Sequence, residues 1–279
     1  MRRIMSIVLG PCMTLFLATG GFRFAGTARA TGVTLTVNAG QPGPKISPTM
    51  FGLMFEEINH SGDGGIYGEL IANRNLHSSL TPLDDWFLVR GSHSHGSIDL
   101  DSNRPVNTTA LSQSLRLTIT HVNAGERVGV SNDGFHGIPV RPSTTYRASV
   151  YARASANFKG PLTLSIESAG GKMFAAARTA ALTTSWRQYT VTLTTPSGIK
   201  PSENNVFVLS ATHTGIVWLS LASLFPPTWN NRPNGLRVDL MQDLSDLHPG
   251  FLRFPGGNYL EGESIDTRFN WKETIGPIA

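Results

Sequence analysis

Two short apolar runs, Phe51-Gly-Leu-Met-Phe55 and Phe251-Leu-Arg-Phe254, constrain the fold most, because each stops abruptly at residues suited to a binding site. The first runs into Glu56, Glu57, Asn59 and His60, and the second into Pro255, Gly256, Gly257 and Asn258. Short apolar runs bounded by turn residues are the pattern of strands buried on both faces. Strands of a (β/α)8 core carry their site residues at their C-terminal ends. Taken alone, Pro255-Gly256-Gly257 is equally a turn that merely ends a strand, and it is the recurrence of the pattern at Phe51 that favours a site.

Between these runs the character of the chain changes. Leu115, Leu117 and Ile119 alternate with polar residues, as do Leu162, Leu164 and Ile166, then Tyr189, Val191 and Leu193, and finally Val217, Leu219 and Leu221. Period-two patterning repeated across turn-separated segments predicts a β-sandwich, assigned to residues 80–228. Around it, Thr34 to Val37 reads as a short strand and Tyr67 to Asn73 as a short helical segment. Leu236, Leu240, Met241, Leu244 and Leu247 recur at helical spacing until Pro249-Gly250 ends the pattern.

Strand, sandwich, helix, strand is one β-α-β unit with a domain spliced into its first loop. Residues 31–79 and 229–279 supply roughly two strands, whereas a complete barrel takes about 250 residues. The expected fold class is therefore multidomain: a partial (β/α)8 barrel, first two strands only, with an inserted all-β jelly-roll-like sandwich. The expectation that follows is the N-terminal part of a longer enzyme.

Residues 1–30 have the layout of a secretory signal, with Arg2 and Arg3, an apolar body from Ile4 to Thr19, and Ala28-Arg-Ala30 before cleavage. A retained anchor is the alternative, although the apolar body is short for a span. Removal leaves a secreted protein, extracellular or periplasmic, without a disulfide, because Cys12 is the only cysteine. The formal charge of +4 comes entirely from Arg2, Arg3, Arg23 and Arg29. The remaining chain is balanced and gives no argument for nucleic acid or membrane as a partner.

Glu56 and Glu57 are neighbours, so on an extended chain one can face a site while the other faces a loop or forms an ordinary charge pair. His60 and Asp63, and the isolated His93 and His95, lack the spacing of metal ligands. No phosphate-binding glycine loop or nucleophile elbow occurs, and neither cofactor nor metal is expected. Asn258 can donate to one sugar hydroxyl and accept from another. Trp271 can offer an apolar platform to a ring, or simply pack in a loop. Glu261, Glu263 and Glu273 lie past the Gly-Gly turn, where their lateral position is unconstrained.

Three stretches together are specific: Phe51-Gly-Leu-Met-Phe-Glu-Glu-Ile-Asn-His60 continuing to Arg74, Leu224-Phe-Pro-Pro-Thr-Trp-Asn-Asn-Arg-Pro-Asn-Gly235 continuing to Leu240, and Phe251-Leu-Arg-Phe-Pro-Gly-Gly-Asn258 continuing to Gly262, with Phe269 to Pro277. They resemble the α-L-arabinofuranosidases of glycoside hydrolase family 51. The resemblance implies a retaining hydrolase with a (β/α)8 barrel and a C-terminal sandwich into which residues 34–37 would pair. It also implies action on arabinose-containing polysaccharides or oligosaccharides. By motif, Glu56 and Asn258 would hold the arabinofuranose and Trp271 would stand at the rim. The family's acid/base and nucleophilic glutamates lie on later strands and have no match here, so no catalytic residue is assigned and the isolated chain is expected to be inactive. A secreted carbohydrate-binding protein without catalysis is the competing expectation.

Overall fold

The computed structural model describes residues 35–38, 40–41, 43–77, 81, 83–256, 264–265, 270, 272 and 275–276. The chain divides into two units, residues 1–46 and 47–279. In the first, the expected strand is not formed across its described residues: Leu35 and Val37 are 83% and 76% exposed and belong to no ladder. A lone extended segment has no neighbour to pair its backbone groups, so alternation there builds nothing. The secretory stretch lies outside the described residues.

The second unit is dominated by a β-sandwich. One sheet contains β2 (Trp86–Arg90), β5 (Val128–Asn132), β10 (Asn205–Ala211), β7 (Thr163–Ser168) and β8 (Met173–Arg178), in that order. The other contains β3 (His95–Asp101), β4 (Ser114–His121), β11 (Gly215–Phe225), β6 (Thr145–Ala154) and β9 (Arg187–Thr194). All ladders within the two sheets are antiparallel. Alternation works as the sequence implies: Tyr146, Ala148, Val150, Ala152 and Ala154 point from β6 into the core, joined by Leu115, Leu117 and Ile119 from β4. In β11 the register shifts between Ser220 and Ser223, and the inward set passes from Val217 and Leu219 to Ala222 and Leu224. The bulge moves Leu221, expected inside with its neighbours, out of that row; its amide instead donates to the Arg74 carbonyl.

The segment from Tyr67 to Asn73 is not helical but extended along the sandwich. Its Ile71 side chain, with Leu76, is buried in the sandwich core. Glu69 explains why. Its buried Oε1 accepts from the backbone N–H groups of Leu70, Ile71 and Leu224, at 3.1, 3.1 and 2.8 Å. Its Oε2 accepts from Ser223 Oγ at 2.6 Å and Arg74 at 2.8 Å. Burial pushes this carboxyl up, opposed by the Arg74 guanidinium and the backbone and hydroxyl donors. A helix would direct the Leu70 and Ile71 N–H groups along its own axis; here they turn to the Glu69 carboxylate, which Ser223 and Leu224 hold from across the sandwich. Farther along, Asn132 fixes Ala72 by accepting from its N–H and donating to its carbonyl.

The incoming and outgoing segments run side by side. Gly68 N–H donates to Gly235 O, Leu70 N–H to Leu224 O and Arg237 N–H to Ile66 O. Beyond them, the helical spacing is realised in α1 (Val238–Asp246), which carries the Arg237–Asp239 ion pair at its start. Then β1 (Leu53–Met54) pairs in parallel with β12 (Leu252–Arg253). Parallel neighbours need a crossover, here made of the sandwich and α1. The expectation of buried strands is not met: Phe51 is 65% and Leu252 61% exposed, because no further strand or helix among the described residues covers them.

In the first sheet Arg127 meets Glu167 through two contacts of 2.5 and 2.6 Å. Burial pushes the Glu167 carboxyl up, but Arg127 and the Ser165 hydroxyl outweigh it and hold the group below its ordinary 4.5. A depressed acid contributes stability above its unfolded value and loses it as pH falls through the folded one. Acid titration of the chain should therefore lower its thermal midpoint below about pH 4.5, and Glu167→Gln should flatten that slope. Glu69→Ala should cost about 3–5 kcal/mol in urea unfolding, since it strands Arg74 and several backbone donors. An unchanged midpoint would contradict the joint described above.

Candidate functional site

The site grows out of the β1–β12 ladder. Leu53 N–H donates to Phe251 O at 2.9 Å and Phe55 N–H to Arg253 O at 3.0 Å. Continued regularly, the parallel pattern would offer the Phe55 carbonyl to residue 255. Pro255 has no N–H to give, and Gly256 donates instead at 2.9 Å. The strand ends are also joined by the Phe55 and Phe254 rings, 5.7 Å apart between centroids.

Glu56 is half-buried and lies over Gly256, where a Cβ would meet its Cγ at 2.6 Å. Glu57 diverges from it and lies over Gly62. One carboxylate thus faces the end of the second strand and the other the following loop. The Glu56 carbonyl accepts from the Ser61 hydroxyl and from Ile58 N–H, which closes the turn after β1. Asn258 and Trp271 lie outside the described residues, as do Glu261, Glu263 and Glu273.

The loop after Glu57 turns back toward the sandwich. Asn59 and His60 adopt positive φ, 52° and 60°, and the His60 ring stands 5.6 Å from Phe135. Gly64, at φ +87°, fits against the same phenylalanine, where a Cβ would come within 2.6 Å of the ring. Asp63 is pushed up by burial, with Arg74 and His60 acting in the opposite direction. His93 and His95 belong to the sandwich, where His93 Nδ1 lies 3.0 Å from Glu126 Oε1. Among the described residues no group of His, Cys, Asp and Glu is arranged to hold a metal ion.

Residues 243–279 match the model of the α-L-arabinofuranosidase 1 domain, and residues 68–212 that of a carbohydrate-binding domain. A probable α-L-arabinofuranosidase A of Aspergillus terreus is 36% identical over 88% of this chain and 38% of its own length. An extracellular exo-α-L-arabinofuranosidase of Streptomyces chartreusis is 33% identical over 96% of this chain and 33% of its own. A solved arabinose-bound family 51 α-L-arabinofuranosidase superposes with a TM-score of 0.75 at 37% identity, covering 85% of this chain and 39% of that one. Over most of its length the chain is similar to α-L-arabinofuranosidases, a solved family 51 member among them. It spans about two fifths of the length of the first of these relatives.

The residues that the sequence alone does not single out are supporting ones. Glu69 was visible only as a lone carboxylate ahead of Leu70-Ile71-Ala72, a pattern that can signal a buried and satisfied acid. The direct test of the ladder is Gly256→Ala. The added methyl should cost about 1–3 kcal/mol and speed hydrogen exchange at the Phe55 and Gly256 amides. Unaltered protection of those amides would mean that Glu56 is not held by this register.

Proposed function

We propose that the protein to which this sequence belongs removes terminal non-reducing α-L-arabinofuranosyl residues from plant cell-wall arabinoxylan and arabinan. The observation that carries this reading is the parallel β1–β12 pair, which sets Glu56 against Gly256, two residues before Asn258. In this reading the pair forms the first two strands of a (β/α)8 barrel, within segments 31–79 and 229–279, and residues 80–228 are the inserted sandwich. Glu56 and Asn258 grip the furanose hydroxyls, and Trp271 borders the ring. A solved relative that holds arabinose supports the sugar class. An extracellular relative supports export through residues 1–30, and among the described residues no helix is long and apolar enough to cross a membrane.

The chemistry proposed for the whole protein is a retaining double displacement by two carboxyl groups about 5 Å apart. One protonates the leaving oxygen while the other attacks the anomeric carbon, and water then releases the sugar with the first group acting as base. Contacts from Glu56 and Asn258 speed this if they tighten as the ring flattens toward the transition state. The match to a carbohydrate-binding domain favours a second role, in which the sandwich itself holds glycan.

In the full-length enzyme, Asn258→Ala and Glu56→Gln should each lower kcat/KM on an aryl α-L-arabinofuranoside by roughly tenfold to a hundredfold. The thermal midpoint should hardly move. Wild-type kinetics in both variants would rule out the assignment.

A further inference from the structure

A cleft of about 370 Å³, lined by no residue of β1 or β12, lies where the outer face of β6 and β9 meets the return loop after β11. Its size is that of a small-molecule site. Ser149, Thr190 and Gln188 supply a floor of hydroxyl and amide groups, beside Ser223, whose proton is held by Glu69. Arg147 on β6 and Arg232 on the loop are both exposed and both line it. The described lining contains no Asp or Glu, and among the described residues neither guanidinium has an ion-pair partner.

The loop wall is prearranged. Thr228 Oγ1 donates to Arg232 O at 2.5 Å and Trp229 N–H to Leu236 O at 2.8 Å, tying both ends of the loop. Asn230, Asn231 and Asn234 take φ of 53°, 54° and 49°, a region that asparagine tolerates better than most residues. Elsewhere on the same outer face, Trp218 is only 9% exposed and lies between the Arg104 and Arg153 guanidinium groups. That ring is thus already covered, while the cleft offers positive charge without a carboxylate in its lining, beside hydroxyl-binding groups.

We propose that this cleft binds a uronate-bearing oligosaccharide. Arg147 and Arg232 take the sugar carboxylate, a geometry that guanidinium groups match with paired N–H donors, and the floor takes the ring hydroxyls. The proposal rests on the reading of the chain as glycan-active, but not on the furanose site. The test is calorimetry on this chain with trigalacturonate, its carboxyl-reduced counterpart and inorganic phosphate. Trigalacturonate should bind at least roughly tenfold more tightly than the reduced sugar, and R147A and R232A should each weaken it by a similar factor. R147K should recover part of the loss, and all variants should keep the parent thermal midpoint.

Absence of trigalacturonate binding, equal affinity for the reduced sugar, or unchanged affinity in both alanine variants would each overturn the proposal. So would phosphate binding as tight as the uronate, which would make this a simple anion site. Loss of the furanose reading would appear separately, as unaffected arabinofuranoside turnover in the Asn258 and Glu56 variants of the full-length enzyme.

Discussion

A single buried carboxylate ties the chain entering the sandwich to the chain leaving it. Glu69 accepts from Leu70 and Ile71 on one side and from Ser223 and Leu224 on the other, with Arg74 balancing its charge. A charge taken out of water is tolerated only when its oxygens are fully occupied, and here donors from both segments occupy them. Neither segment can leave without stranding the group. That requirement makes the insertion a clamp instead of a loose loop.

The clamp has a consequence for distant pairing. Bringing β1 and β12 together across a flexible crossover of this length would cost closure entropy that grows with the logarithm of the loop. The folded sandwich removes most of that cost, because its own core holds Leu70 beside Leu224 and Gly68 beside Gly235. Backbone bonds continue the juxtaposition outward through Ile66 and Arg237. Two strands far apart in sequence thus meet as if joined by a short connection, and the end of one is presented to the end of the other.

Much of this was legible in the residues. Alternation at Leu115-Leu117-Ile119 and at Leu164-Ile166 marks core-facing rows, and α1 follows its helical spacing. Residues 67–73 look helical in sequence because Glu69, Leu70 and Ile71 carry ordinary helix propensities, while the Ser223 and Leu224 donors that hold Glu69 sit about 155 positions away. The Leu221 row failed at a bulge that no local pattern announces. At the site, the divergence of Glu56 and Glu57 followed from strand geometry, but the contact with Gly256 depends on a parallel register that alternation cannot specify. The cleft beside Arg147 joins a strand to a loop some 85 positions later, beyond the reach of any motif.

The same register explains why a proline and a glycine stand together at the end of β12. A regular ladder would draw the residue at 255 against the Phe55 carbonyl as a donor and carry the strand onward. Proline refuses that bond, so the ladder yields there and the next N–H, from Gly256, reaches the carbonyl instead. Any side chain at 256 would collide with the Glu56 methylene, so only glycine lets the bond form while leaving the carboxylate in place. Strand termination and placement of Glu56 are therefore one event. A slip by one residue would undo both, by losing the Phe55 acceptor contact and by turning the side chains of β12 to the opposite face.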